Sequence, residues 1–94
     1  MPRMDVNATC IARGGRNAWD DPIALAFRQA GFSGAVVTPA SVKMGDRIID
    51  LPDEACCFVA DWDSGRSVRP FVWDVPPLDG PGWREIGVQR GAKA

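Results

Sequence analysis

The chain has 94 residues, 46% hydrophobic and 24% charged, with eleven basic against twelve acidic side chains and a net charge of −1. That length carries one hydrophobic core and no second domain, and the apolar content excludes a disordered polypeptide. The near-balanced charge gives no whole-molecule field to steer the protein to nucleic acid, so any electrostatic recognition is local.

Met4, Val6, Ala8, Cys10 and Ala12 alternate with Asp5, Asn7, Thr9 and Ile11, a period of two that predicts a first strand over 4–12 with one buried face. Arg13-Gly14-Gly15-Arg16-Asn17 follows as a loop. Asp20-Asp21-Pro22 marks a helix start, with an aspartate to cap free N–H groups and a proline in the first turn. Ile23, Ala26, Phe27 and Ala30 share one helical face, and Gly31 ends the helix so that Phe32 folds back onto its last turn. Ala35 to Thr38 and a piece containing Val42 read as extended, Met44-Gly45-Asp46 as a tight turn, and Arg47 to Leu51 as a returning strand.

Pro52-Asp53-Glu54 opens a second helix, with both carboxylates at the positive end of its dipole. Ala55, Phe58, Val59 and Trp62 form its buried stripe, and Ser64-Gly65 stops it. The last strand runs from Val68 to Val75, with Phe71, Trp73 and Val75 on one face and Pro70 placing it at an edge. Prolines and glycines then crowd the final nineteen residues. This divides the chain into a compact α+β domain over 1–75 and an irregular C-terminal arm over 76–94, with a short strand at Trp83 to Val88. The element order is β-α-β-β-α-β, an antiparallel-rich sheet with two helices, as in a ferredoxin-like sandwich.

With neither histidine nor tyrosine, the chain lacks the commonest general acid–base side chain, and its cysteines and serines have no usual activating partner. A non-catalytic role without a cofactor is therefore expected. Cys56 and Cys57 are adjacent, and Cys10 stands alone. This odd set lacks metal-ligand spacing and reads as reduced structural thiols in a cytosol. Asp61-Trp62-Asp63-Ser64-Gly65 lacks the later ligands of a calcium loop and reads as the solvated end of the second helix. No stretch approaches the about 20 apolar residues of a membrane span. A domain this small buries only about 60–65% of its unfolded surface, which leaves homodimerisation open.

Two features carry recognition. Asp46, Asp50, Asp53 and Glu54, countered by Lys43 and Arg47, gather between the third strand and the second helix. Each acid has a local structural reason, and together they offer a contact for a partner's lysines and arginines. Trp83 either covers an open edge of the core or anchors an interface, and its exposure decides between the two. Direct nucleic-acid binding is not expected, because the basic residues are scattered. A small-ligand binder is the alternative, and it would show a concave pocket lined by Arg13, Arg16 or Arg28.

Pro22-Ile23-Ala24-Leu25-Ala26, Leu51-Pro52 and Gly65-Arg66-Ser67-Val68-Arg69-Pro70-Phe71 resemble the "PIALA" helix, "LP" helix start and "G-x-x-V-x-P-F" strand of a family of small proteins encoded mainly by phages and prophages. The resemblance covers residues 19–75, and its motifs are helix starts and core positions. Relatives often carry cysteine before the proline of the first motif, where this chain has Asp21. The family has no established activity. What the resemblance implies is a phage inhibitor of host machinery, of which anti-CRISPR proteins are the prominent example. Such a protein would act in the bacterial cytosol by stoichiometric binding to a host complex such as a CRISPR effector subunit.

Overall fold

Asn7 ends the first strand sooner than the alternation suggests. In the computed structural model, which describes residues 3–86, β1 spans only Arg3–Val6, and α1 follows at Ala8–Arg13. The Asn7 side chain accepts from the Cys10 amide at 2.9 Å, an N-cap that favours helix over strand. Alternation misled here because alanines at 8 and 12 are neutral to burial: both are exposed, while Met4, Val6 and Cys10 are buried.

The second helix begins where its residues dictate. α2 spans Pro22–Gln29, capped by the Asp21 carboxylate accepting from the Ala24 amide at 2.7 Å, with Pro22 in the first turn. Ile23, Ala24, Ala26 and Phe27 face the core. Gly31 takes φ 98°, which lets the Phe32 amide donate back to the Phe27 carbonyl at 2.8 Å and sets the two rings edge to face at 5.5 Å.

A meander follows: β2 at Val36–Val37, β3 at Ser41–Met44 and β4 at Arg47–Asp50. Val37 pairs with Val42 and Val42 with Ile49. Gly45, at φ 61°, occupies the first central position of the two-residue β3–β4 turn. α3 spans Asp53–Asp63 and buries Ala55, Phe58 and Val59, with Trp62 half-buried beside them. β5, Phe71–Asp74, returns to pair antiparallel with β1. β6, Arg84–Glu85, adds to the outer edge of β4.

The fold is therefore α+β with three helices, not two, and with two separate antiparallel sheets: β1-β5, and β2-β3-β4-β6. No single ferredoxin-like sheet forms, because β5 finds its partner in β1 and not in the meander. An unbroken chain of aromatic contacts joins the elements, Trp62, Phe58, Phe71, Trp73, Phe27, Phe32 and Trp83, with successive centroids 5.1 to 6.4 Å apart. Seven of the eight aromatic residues thus form one continuous core element.

Residues 76–86 pack on this core. Trp83 is 6% exposed, stacks on Phe32 at 6.0 Å and donates its indole N–H to the Pro76 carbonyl at 2.9 Å. The strand expected at Trp83 to Val88 is present at Arg84–Glu85, and its last two positions lie outside the described residues. Among the described residues no helix is long and apolar enough to cross a membrane.

Candidate recognition surfaces

The acidic group adjacent in sequence is divided in space. Asp46 sits in the β3–β4 turn, where its carbonyl accepts from the Ile86 amide at 2.6 Å. Asp50 lies at the far end of β4, about 13 Å away for a four-residue strand. Asp50 is also engaged: the Arg84 guanidinium grips both its oxygens at 2.9 and 3.1 Å. That hydrogen-bonded cation holds the Asp50 carboxyl below its ordinary range and raises Arg84 in return. Trp83, being buried, covers the edge of the core and presents no indole to a partner. Of the five residues singled out from the sequence, Asp46, Asp53 and Glu54 remain exposed and outside any ion pair among the described residues, and of these only Asp53 and Glu54 share one element, α3.

These two begin a longer acidic surface. α3 carries Asp53, Glu54, Asp61 and Asp63 and not one basic residue. The first pair complements the positive end of the helix dipole. The second pair stands in the last turn, where carboxylates oppose the dipole and lysine or arginine is preferred. Asp61 is paired with Arg66 at 3.2 Å, an exposed pair of little intrinsic strength. Glu54, Cys57 and Asp61 follow one another along one side of α3 at helical spacing, which is the signal in the sequence that joins them. They form one wall of a groove of about 340 Å³ floored by Phe58 and Phe71, with Val68 and Arg69 opposite.

Two other depressions bear on the ligand-binding alternative. Arg13 and Arg28 line one recess between α1 and α2, together with Thr9 and Gln29, of about 370 Å³. Arg16 lines a different one, of about 200 Å³, with Asp21, Thr38 and Asp63. Burial pushes the Asp21 carboxyl up to about 6 against the lowering effect of its bonds to the α2 amides, with Asp63 and Asp20 adding repulsion.

The cysteines are all free thiols. Cys10 is buried with its Sγ 3.7 Å from Gln29 Oε1, Cys56 is half-buried and donates to the Leu51 carbonyl, and Cys57 is exposed in the α3 groove. No group of three acidic or cysteine side chains that could hold a metal ion occurs among the described residues.

No protein-family model, no curated protein and no solved structure matches the chain.

Proposed function

We propose that this protein is a non-catalytic, protein-binding inhibitor of host machinery that acts by stoichiometric association through the exposed face of α3, in the manner of a phage anti-CRISPR protein in the host cytosol. The observation that carries this reading is the pair Asp61 and Asp63 in the last turn of α3. Carboxylates there cost local stability, the helix itself contains no lysine or arginine, and the one cation paired with them, Arg66 just beyond the helix, makes only an exposed ion pair. With Asp53 and Glu54 at the other end, they give one element a single sign of charge along its length. Complementary potential of this kind steers encounter with a basic surface and selects against wrong partners. The DNA-binding channel of a CRISPR effector is such a surface.

The test is affinity capture of the tagged protein from lysate of a bacterium with active CRISPR systems, followed by identification of bound macromolecules and small molecules by mass spectrometry. Recovery of effector subunits in stoichiometric amount supports the inhibitor reading. Recovery of no macromolecule overturns it.

A second reading rests on the recess between α1 and α2. Arg13 and Arg28 are in no ion pair among the described residues, and Thr9 and Gln29 add neutral hydrogen-bonding groups. Two unpaired guanidiniums suit a small anionic ligand such as a nucleotide. A nucleotide co-purifying in that capture, with its retention lost in Arg13→Ala/Arg28→Ala, would favour sequestration.

A further inference from the structure

The chain between α3 and β5 has lost its partner strand. β1 and β5 pair from Arg3↔Asp74 to Val6↔Phe71 and no further, because Asn7 caps α1 and turns the β1 chain away. The residues preceding β5, Ser67 to Pro70, therefore continue alone. Among the described residues nothing accepts from the backbone amides of Ser67, Val68 or Arg69. Pro70 disfavours a helical conformation at Arg69, so this stretch is held open for pairing. It forms the wall of the α3 groove opposite Glu54, Cys57 and Asp61, above the Phe58 and Phe71 floor.

We infer that this groove binds an extended basic segment of a partner protein, which adds as a strand alongside Ser67–Arg69 and turns one row of alternate side chains into the groove, an apolar one onto Phe58 and Phe71 and a basic one on either side of it to Glu54 and Asp61. The three demands fit one occupant. An extended backbone satisfies the unpaired amides that alternate residues turn to one edge, the mode by which peptides add to sheet edges. Strand side chains alternate at about 6.7 Å per pair of residues, and Glu54 and Asp61 lie about 10.5 Å apart along α3 for seven residues of helix. Basic residues four positions apart, with the apolar residue midway between them, reach both acids. Glu54 is in no ion pair among the described residues, the groove lining stays net negative with Arg69 included, and the exposed Asp61–Arg66 pair yields readily to a second guanidinium. Nucleic acid is the wrong occupant for a groove walled by two carboxylates.

This inference rests on the protein-binding reading and names the chemistry of the partner. The test is selection of twelve-residue peptides from a displayed random library against the full-length protein, followed by binding of the enriched peptides to wild type and to Glu54→Gln/Asp61→Asn, with folding of the variant checked by circular dichroism. The expected result is enrichment of sequences with two basic residues four positions apart and an apolar residue midway between them, which shift the amide resonances of Ser67, Val68 and Arg69. They should bind the double variant about tenfold more weakly, as loss of two partly exposed ion pairs predicts, and lose affinity when N-methylated along one edge. No enrichment, enrichment of acidic or helical sequences, or peptides insensitive to the double variant would each overturn the inference. So would dimerisation on concentration that shifts the same three amides without peptide, since the occupant is then a second copy. The two readings fail separately. An effector captured undiminished by the double variant removes the groove and leaves the inhibitor, whereas selected peptides without any captured effector leave the groove and remove the inhibitor.

Discussion

The indole N–H of Trp62 donates to the carbonyl of Gly15 at 2.8 Å, across 47 positions of sequence. Through this bond the last turn of α3 holds the glycine-rich loop that leads into α2, and the Arg16 guanidinium lies 6.0 Å from the same ring. Trp62 also stacks on Phe58 at an interplanar angle of 9°, so the tether joins the loop directly to the aromatic chain of the core. Trp62→Phe keeps most of the stacking and removes the donor. It should cost about 1 kcal/mol in chemical denaturation, the net value of one such bond. Hydrogen exchange of the 13–20 amides should accelerate in the same variant.

Asp21 makes stability depend on pH in an unusual direction. Its carboxyl caps α2, yet burial raises it from 3.8 to about 6, so the native state holds the proton more tightly than the unfolded chain does. The stabilisation from that proton is complete below pH 4 and is lost as pH rises through about 6. At about 1.4 kcal/mol per pH unit the loss amounts to about 3 kcal/mol. Asparagine caps equally well and carries no charge. Asp21→Asn should therefore match wild type in urea unfolding near pH 4 and exceed it by about 2–3 kcal/mol at pH 7.5.

Asp63 contributes to the same imbalance from across the recess and opposes the dipole of its own helix. Asp63→Asn should raise stability at pH 7.5 by about 0.5 kcal/mol. It should also lower the pH at which Asp21 titrates, measurable by NMR of the Asp21 carboxyl carbon. If the proposed function is right, the same substitution weakens partner binding while the fold gains stability, as expected where an unfavourable charge is kept for recognition.

Trp83 separates a core role from an interface role. With its ring stacked on Phe32 and its N–H bonded to Pro76, Trp83→Ala should cost about 3–5 kcal/mol in thermal or chemical unfolding. Arg84, the next residue, makes only an exposed pair with Asp50, so Arg84→Ala should leave the unfolding midpoint unchanged.

What was legible in the chain was local. The cap at Asp21, Pro22 in the first turn, Gly31 with Phe32 folded back, and Gly45 in the hairpin each depend on residues within a few positions, and each stands where the pattern places it. The failure at Asn7 was a contest between two local signals, in which a cap outweighed an alternation built partly on alanine. The division into two sheets was hidden because β1 chooses a partner some 65 residues away, a pairing that no periodicity encodes. The acidic group misled for a related reason. Asp46 and Asp50 are neighbours in sequence but occupy opposite ends of β4, whereas Glu54 and Asp61, seven apart, share one side of α3. Helical spacing, applied past the first turn, recovers that pair.

Inhibition through α3 is tested most directly by plaquing. A CRISPR-immune bacterium expressing the wild-type protein is challenged with the targeted phage beside strains expressing Glu54→Lys/Asp61→Lys and Asp46→Lys at equal levels. Plaquing should be restored with wild type and Asp46→Lys, and that rescue should be lost with the α3 double reversal. Absence of rescue by the wild-type protein across CRISPR types, or equal rescue by all three, would rule out inhibition through α3.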